Sequence, residues 1–162
     1  MVWIRGECKV SDEKKIIVFR LLDQEYGVEL KYVKSIERLE SVTKVPRTPK
    51  FVKGVINLRG IVTPIIDLKE RLGLPQAELT EESRVIIVEL DGLEAGFIVD
   101  SANDVLDIPL QSIEPAPNVF QGVRFEFLEG IAKLDQRLLV LLNFNKVLNL
   151  EEMDQLSKVE GL

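Results

Sequence analysis

A chain of 162 residues is long enough for one compact unit or two small ones, with a sizeable core. Its 46% apolar and 30% charged residues are an ordinary globular composition, which excludes a disordered chain. The 21 Lys and Arg against 27 Asp and Glu give a net charge of −6, which opposes wrapping on nucleic acid; the absence of histidine removes the usual general base and the commonest metal ligand.

No run of about 18 apolar residues is present, so direct membrane insertion is not expected. The first ten residues carry no apolar stretch of signal-peptide length, and Cys8 is the single cysteine, so a cytoplasmic location is expected.

Residues 1–13 read as an N-terminal segment. Beyond them one pattern is written twice. Residues 17–21 form an apolar strand that runs through Asp23 into a second strand at 25–28, and residues 87–90, Asp91 and 94–97 repeat this, with Gly27 matching Gly96. Each is a hairpin signature. Leu30, Val33 and Ile36 follow the first hairpin at a spacing of three, and Val99, Ala102 and Val105 follow the second at a constant offset of 69. That spacing fits a short helix or a turn of one, with a strand as the alternative, above all in the second copy.

Loops bearing Pro46 and Pro49, or Pro109, Pro115 and Pro117, come next in each copy. The copies then close on two further hairpins, residues 54–62 running to Leu68 and residues 130–138 running to Phe144. Pro64 lies in an apolar strand, which places that strand at an edge or at a bulge. Asp67 and Asn143 read as N-caps of short helices at 68–72 and 144–148, Glu70 completes a box-like spacing, and Gly73 reads as a left-handed stop. Residues 150–159 carry apolar side chains three apart, as in a C-terminal amphipathic helix within residues 151–162.

The expected fold is therefore all-β with short helices. Four or five short strands per half are too few for a sandwich and enough for a small curled barrel, so two barrels arising from a duplication are expected, in halves 14–75 and 83–150.

No phosphate loop, dinucleotide fingerprint, paired-cysteine metal site or nucleophile elbow occurs, so neither an enzyme nor a cofactor or metal is expected. Asp67, Asp91, Asp100 and Asp104 each have a cap, turn or surface explanation. The most distinctive local feature is the tip Asn57, Leu58, Arg59 and Gly60, which displays a cation where the second copy has Asp135 and Gln136. Gly60 is expected at positive φ.

The run 54–60, with Pro64, Ile65, Ile66, Asp67 and Leu68, resembles the CheW family of bacterial chemotaxis coupling proteins. The likeness spans the hairpin at 25–28, Val33, Ile36 and residues 96–100, covering roughly residues 14–160 as one CheW-like domain. It implies two five-stranded, SH3-like barrels and a non-enzymatic scaffold. Its implied partners are the regulatory domain of the histidine kinase CheA and the cytoplasmic tip of methyl-accepting chemotaxis receptors, with recruitment to membrane-associated arrays through those partners. The absence of an attached kinase, receiver or phosphotransfer segment favours the coupling protein itself. By the same resemblance, Leu30, Val33, Ile36, Gly54, Asn57, Leu58, Arg59 and Gly60 form the receptor-binding site, completed by Val105, and Val42, Val45 and Phe51 the kinase-binding one. The alternatives are an adaptor for a non-chemotactic kinase pathway and a nucleic-acid-binding small barrel.

Overall fold

In a computed structural model of the chain, the structure describes residues 2–4, 6–9, 13–39, 42–44, 46, 52–75, 78–90, 92–115, 119–120, 123–124 and 127–147. Val45 and Phe51, Asp91, and the segment 151–162 expected to form the C-terminal helix lie outside the described residues.

The first half contributes β3 (Glu13–Leu21), β4 (Gln24–Glu29), a 3-10 turn at Leu30–Tyr32, β5 (Val33–Arg38), β6 (Val52–Leu58), β7 (Ile61–Asp67) and α1 (Leu68–Leu72). They follow a separate two-stranded hairpin of β1 (Val2–Ile4) and β2 (Gly6–Lys9). The second half repeats the plan: β8 (Arg84–Leu90), β9 (Leu93–Val99), β10 (Ser101–Pro109), a 3-10 turn at Leu110–Ser112 and β11 (Ile113–Glu114). After the small pair β12 (Val119–Phe120) and β13 (Val123–Arg124) it ends with β14 (Leu128–Leu134), β15 (Arg137–Leu142) and α2 (Phe144–Val147).

The strands form two main sheets, and neither sheet belongs to one half. One runs in the order β10-β3-β4-β15-β14-β11 and the other β5-β8-β9-β7-β6. The opening hairpin of each half thus lies beside the closing hairpin of the other, joined by parallel pairs: Val140 with Tyr26 in one sheet, Ile65 with Gly96 in the other. Thr43 bridges Val55 at the outer edge of β6, in the place that β11 takes on β14. Both sheets therefore share one plan.

The closed five-stranded barrels expected from the repeat are not present, because no ladder joins the outer strands of either main sheet among the described residues. The sheets nevertheless curl. The outer strands of a flat six-stranded sheet would stand about 24 Å apart. Pro109 at the end of β10 and Ile113 at the start of β11 are joined by only the Leu110–Ser112 turn, a path of at most about 14 Å. That turn bonds locally, the Ile113 N–H donating to the Leu110 carbonyl, so the chain rounds the corner instead of closing the ladder. The curl is tight enough to exclude a side chain at the two matched glycines. A Cβ at Gly27 would stand 2.5 Å from an Ile16 methyl, and one at Gly96 would stand 2.6 Å from Val85.

Period-two alternation on strands buried on both faces divides the interior into three cores. Ile16 and Val18 of β3 enter the inside of the six-stranded sheet with Ile108, Leu139 and Leu141. Val85 and Ile87 of β8 enter the inside of the other with Ile65 and Ile98. The alternate residues, Ile17, Phe19 and Leu21 with Ile86, Val88 and Leu90, meet in a larger core between the sheets, which also takes Leu68, Leu72, Phe144 and Val147 from the helices.

The spacing of three after each opening hairpin has a strand explanation. A β-bulge falls between Val33 and Ser35, so Val33 opposes Val88 and Ile36 opposes Ile86, two residues that share a face. The same bulge between Ala102 and Asp104 sets Ala102 against Phe19 and Val105 against Ile17. An inserted residue converts the strand period of two into three, and only Leu30–Tyr32 is helical, as one 3-10 turn.

Pro64 is not on an edge strand; β7 runs between β9 and β6. Val55, its partner on β6, turns both backbone groups away to Thr43, so this is a non-hydrogen-bonded pair and the Pro64 nitrogen faces β9. The ladder to β9 begins only at Ile65, so the missing N–H costs no bond. The caps form as expected: the Asp67 carboxylate accepts from the Glu70 N–H at 3.3 Å, Gly73 is left-handed at φ 80°, and Asn143 accepts from the Asn145 N–H at 3.0 Å.

One buried charge ties the halves together. Lys69 on α1 is 2% exposed, and its Nζ donates to Asp100 Oδ1 at 2.5 Å; Asp100 Oδ2 accepts the Leu22 N–H at 2.6 Å. Asp100→Ala leaves the ammonium buried without this carboxylate and is expected to cost about 3–5 kcal/mol. Lys69→Met leaves a partly exposed carboxylate and costs less. Urea unfolding of both variants checks this order.

Candidate partner-docking surface

The edge strand β5 and the tip of the β6–β7 hairpin come together across the mouth of the five-stranded sheet. Leu30 and Val33 are half-buried and pack on the central core, while Ile36, on the same face, is 40% exposed. Leu58 faces Ile61 across a two-residue turn in which Arg59 (φ 54°) and Gly60 (φ 87°) both have positive φ, the pattern of a type I′ hairpin. Asn57 holds this turn by accepting the Gly60 N–H on Oδ1 at 2.8 Å.

Gly60 thus has the backbone expected of it, but Arg59 does as well. That position favours Asn, Asp or Gly, and an L-residue with a full side chain is strained there. The Arg59 side chain is 76% exposed and, among the described residues, makes one long contact, donating to Glu37 Oε2 on β5 at 3.4 Å. Glu37, Arg38, Ile56, Asn57 and Leu58 line a cleft of about 280 Å³ beneath it. Beside Val33, Lys34 Nζ reaches Glu94 Oε2 on β9 at 2.6 Å, and this hydrogen bond raises the Lys34 pKa.

At the start of the strip, burial pushes the Glu29 carboxyl up, but Lys14 at 2.9 Å and Lys31 at 3.3 Å outweigh it and hold the group below the ordinary carboxylate value. The surface is a strip of apolar side chains bounded by paired charges. Such a strip can receive the apolar side of a partner helix and hydrogen-bond its edge.

The expected receptor-side residues divide into three sets. Leu30, Val33, Ile36, Asn57, Leu58, Arg59 and Gly60 lie along this strip or its hairpin tip. Gly54 is buried: its φ is 146°, a Cβ there would collide with the Thr43 carbonyl oxygen, and a Val42 methyl lies 2.7 Å from that position. Gly54 therefore shapes the β6 edge. Val105 stands 52% exposed on β10, an edge of the other sheet, at the repeat equivalent of Ile36. Val42, expected on the kinase side, is half-buried against Gly54.

Sequence reasoning did not single out Glu37 and Glu94. Each partners a cation more than twenty residues away, and nothing local announces a cross-strand carboxylate. The acidic residues weighed for chemistry have structural uses: Asp67 caps α1, Asp100 binds Lys69 and Leu22, and Asp104 accepts from the Val105 N–H at 2.9 Å.

A CheW-like domain model matches residues 15–152. The chain belongs to the CheW family. Among its relatives, the chemotaxis protein CheW of Bacillus subtilis is 43% identical over 143 residues, covering 88% of this chain and 92% of that protein. The CheW of Klebsiella aerogenes is 35% identical over 140 residues, with 86% and 84% covered. The crystal structure of the scaffolding protein TtCheW from Thermoanaerobacter tengcongensis superposes on this CheW-family chain with a TM-score of 0.80 at 39% identity, covering 88% of this chain and 92% of that one.

Two outcomes test the local physics. Arg59→Asn relieves the left-handed strain and is expected to raise unfolding stability by about 1 kcal/mol. Glu29, whose folded pKa is depressed, contributes stability above its unfolded value of about 4.3 that is lost as pH falls through the lower folded one. Lys14→Met is therefore expected to destabilise at pH 7 and to differ little from the parent near pH 3, read by urea unfolding at both.

Proposed function

We propose that this protein is a non-enzymatic chemotaxis scaffold that joins the cytoplasmic tip of methyl-accepting receptors to the regulatory domain of the histidine kinase CheA. Membership of the CheW family and likeness to a scaffolding protein support the class. The observation that carries the receptor side is Arg59: an exposed cation kept in strained backbone and reaching Glu37 on β5, where asparagine would be the easier residue.

In this reading a receptor helix lays its apolar side along Leu30, Val33 and Ile36, with Arg59 hydrogen-bonding at the edge. Val105 completes the site from the other sheet. The kinase side lies around Val42, Val45 and Phe51. The protein works in the cytoplasm and reaches membrane arrays through its partners.

Coupling then follows from shape. Val42 rests on Gly54 toward one end of β6 and Arg59 turns just past the other, about 17 Å along the chain. A partner at either end biases the same element, and the effect is reciprocal: kinase binding changes receptor affinity by the factor by which receptor binding changes kinase affinity.

Arg59→Glu tests the assignment with purified receptor and kinase fragments. Receptor pull-down is expected to fall at least about tenfold, the loss of a charge-assisted contact, with kinase pull-down unchanged. Equal loss of both, with an unfolding curve like the parent's, would remove Arg59 from the receptor side.

A further inference from the structure

On the face that carries Val33 and Ile36, β5 opposes β8 in the pairs Val33 with Val88, Ile36 with Ile86 and Arg38 with Arg84. Val88 and Ile86 enter the central core, so by strand alternation the apolar strip ends on that face in two arginines set directly across from each other. Like charges so placed repel. Arg38 is exposed and makes no hydrogen bond or ion pair among the described residues. Arg84 is half-buried, and its Nη1 donates to the Glu81 and Ser83 carbonyls at 2.8 Å each. Those bonds hold the guanidinium in place and leave Nε and Nη2 without an acceptor among the described residues.

The two arginines flank a cleft of about 680 Å³ whose remaining wall is Leu39 and the turn at residues 79–83. Glu81 and Glu82 are on that turn and exposed, yet neither carboxylate pairs with either arginine among the described residues. Glu37, the neighbouring acid on β5, is taken by Arg59. The fold does not impose this arrangement. At the equivalent place in the second half Lys15 opposes Asp107, and the two form an ion pair at 3.1 Å.

We propose that Arg38 and Arg84 select the partner: the helix received by the strip carries an acidic residue four positions from the apolar residue that rests on Ile36. This rests on the proposed receptor docking along β5 and adds the chemistry of what docks there. Ile36 and Arg38 are two residues apart, about 7 Å along the strand, and residues four apart on one face of a helix are separated by about 6 Å. A carboxylate at that point meets the open donors of Arg84 and the guanidinium of Arg38, whose planar forks suit its two oxygens, and it removes their mutual repulsion. The chain has a net charge of −6, so most of its surface repels an acidic helix. An uncompensated cationic pair at the end of the strip then fixes where and in which register that helix docks.

Association of a purified receptor cytoplasmic-tip fragment with the full-length chain, followed at several salt concentrations, tests this. Arg38→Asp copies the second half and gives Arg84 a partner across the sheet. Its urea unfolding midpoint is expected to equal or exceed the parent's. Receptor association is expected to slow about tenfold at low salt, with the difference narrowing as salt rises. Among the fragment's acidic residues exchanged singly for Lys, one is expected to cause a similar loss with the parent and little further loss with Arg38→Asp, the signature of a direct pair. Arg59→Glu measured in parallel separates two failures. If Arg59→Glu loses the receptor fragment while Arg38→Asp associates like the parent, the acid-reading pair is overturned and the receptor assignment stands. If neither variant changes association, the docking assignment falls and this inference with it. A lowered unfolding midpoint for Arg38→Asp also overturns it, because the arginine then serves the fold.

Discussion

Four aromatic rings from both halves meet at the centre of the molecule. Phe19 on β3 stacks on Tyr26 of β4 and meets Phe144 of α2 edge-on at 6.4 Å, and Phe144 lies 4.7 Å from Phe97 of β9. Such contacts add to the area each ring buries. Because these elements belong to different sheets and different halves, neither half can keep its share of the core without the other. Each opening hairpin is committed to the opposite sheet, and a mutation in one half is felt in both. The Lys69–Asp100 pair lies at the margin of this core and has the same logic: a charge on the first half's helix neutralised by the second half's turn.

Among the described residues, three other than glycine hold positive φ: Leu22, Arg59 and Asp135. Asp135 belongs to a residue type that tolerates the left-handed region. Leu22 is held there by the Asp100 carboxylate on its N–H, which the buried Lys69 fixes in turn. Arg59 has neither explanation, since the bond that secures its turn runs from Gly60 to Asn57 and constrains any residue at the tip equally. Strain that the scaffold does not require is the ground on which the proposed use of the side chain rests. The comparison with the second tip, raised by the repeat, thereby acquires a physical basis.

Much of the fold was legible because it rests on local chemistry. Hairpins announce themselves through alternation and turn residues, and Asp67, Gly73 and Asn143 mark helix ends by their own hydrogen-bonding and φ preferences. Gly27 and Gly96 aligned the two copies because both stand where a tightly curled sheet leaves no room for a Cβ. The exchange of hairpins left no such mark. Its parallel pairs join Tyr26 to Val140 and Ile65 to Gly96, and periodicity carries no information about which strand lies alongside. The spacing of Leu30, Val33 and Ile36 was ambiguous for a definite reason, since a bulge imitates a helical repeat over one step. In the candidate strip, the apolar residues and Arg59 were singled out from the resemblance; the carboxylates of Glu37 and Glu94 were not, because their pairing depends on strands brought together from afar.

A scaffold that carries a signal without chemistry needs an element touched by both partners and stiff enough to transmit displacement. In the proposed arrangement that element is β6, which the structure holds along both edges. Its outer edge bonds Thr43 through two hydrogen bonds at 2.9 and 2.8 Å, its inner edge pairs along β7, and Gly54 sits so close to Thr43 that no larger residue fits between them. A strand held on both sides has little freedom to bend alone, so under the proposed function pressure at the Val42 end would move the hairpin as a body and with it the Arg59 tip. Packed elements of this kind shift between discrete arrangements and do not deform gradually. The strained tip is then well placed to respond. Its backbone gains little from any one position, and the long contact to Glu37 is weak enough to be exchanged for a partner's acceptor.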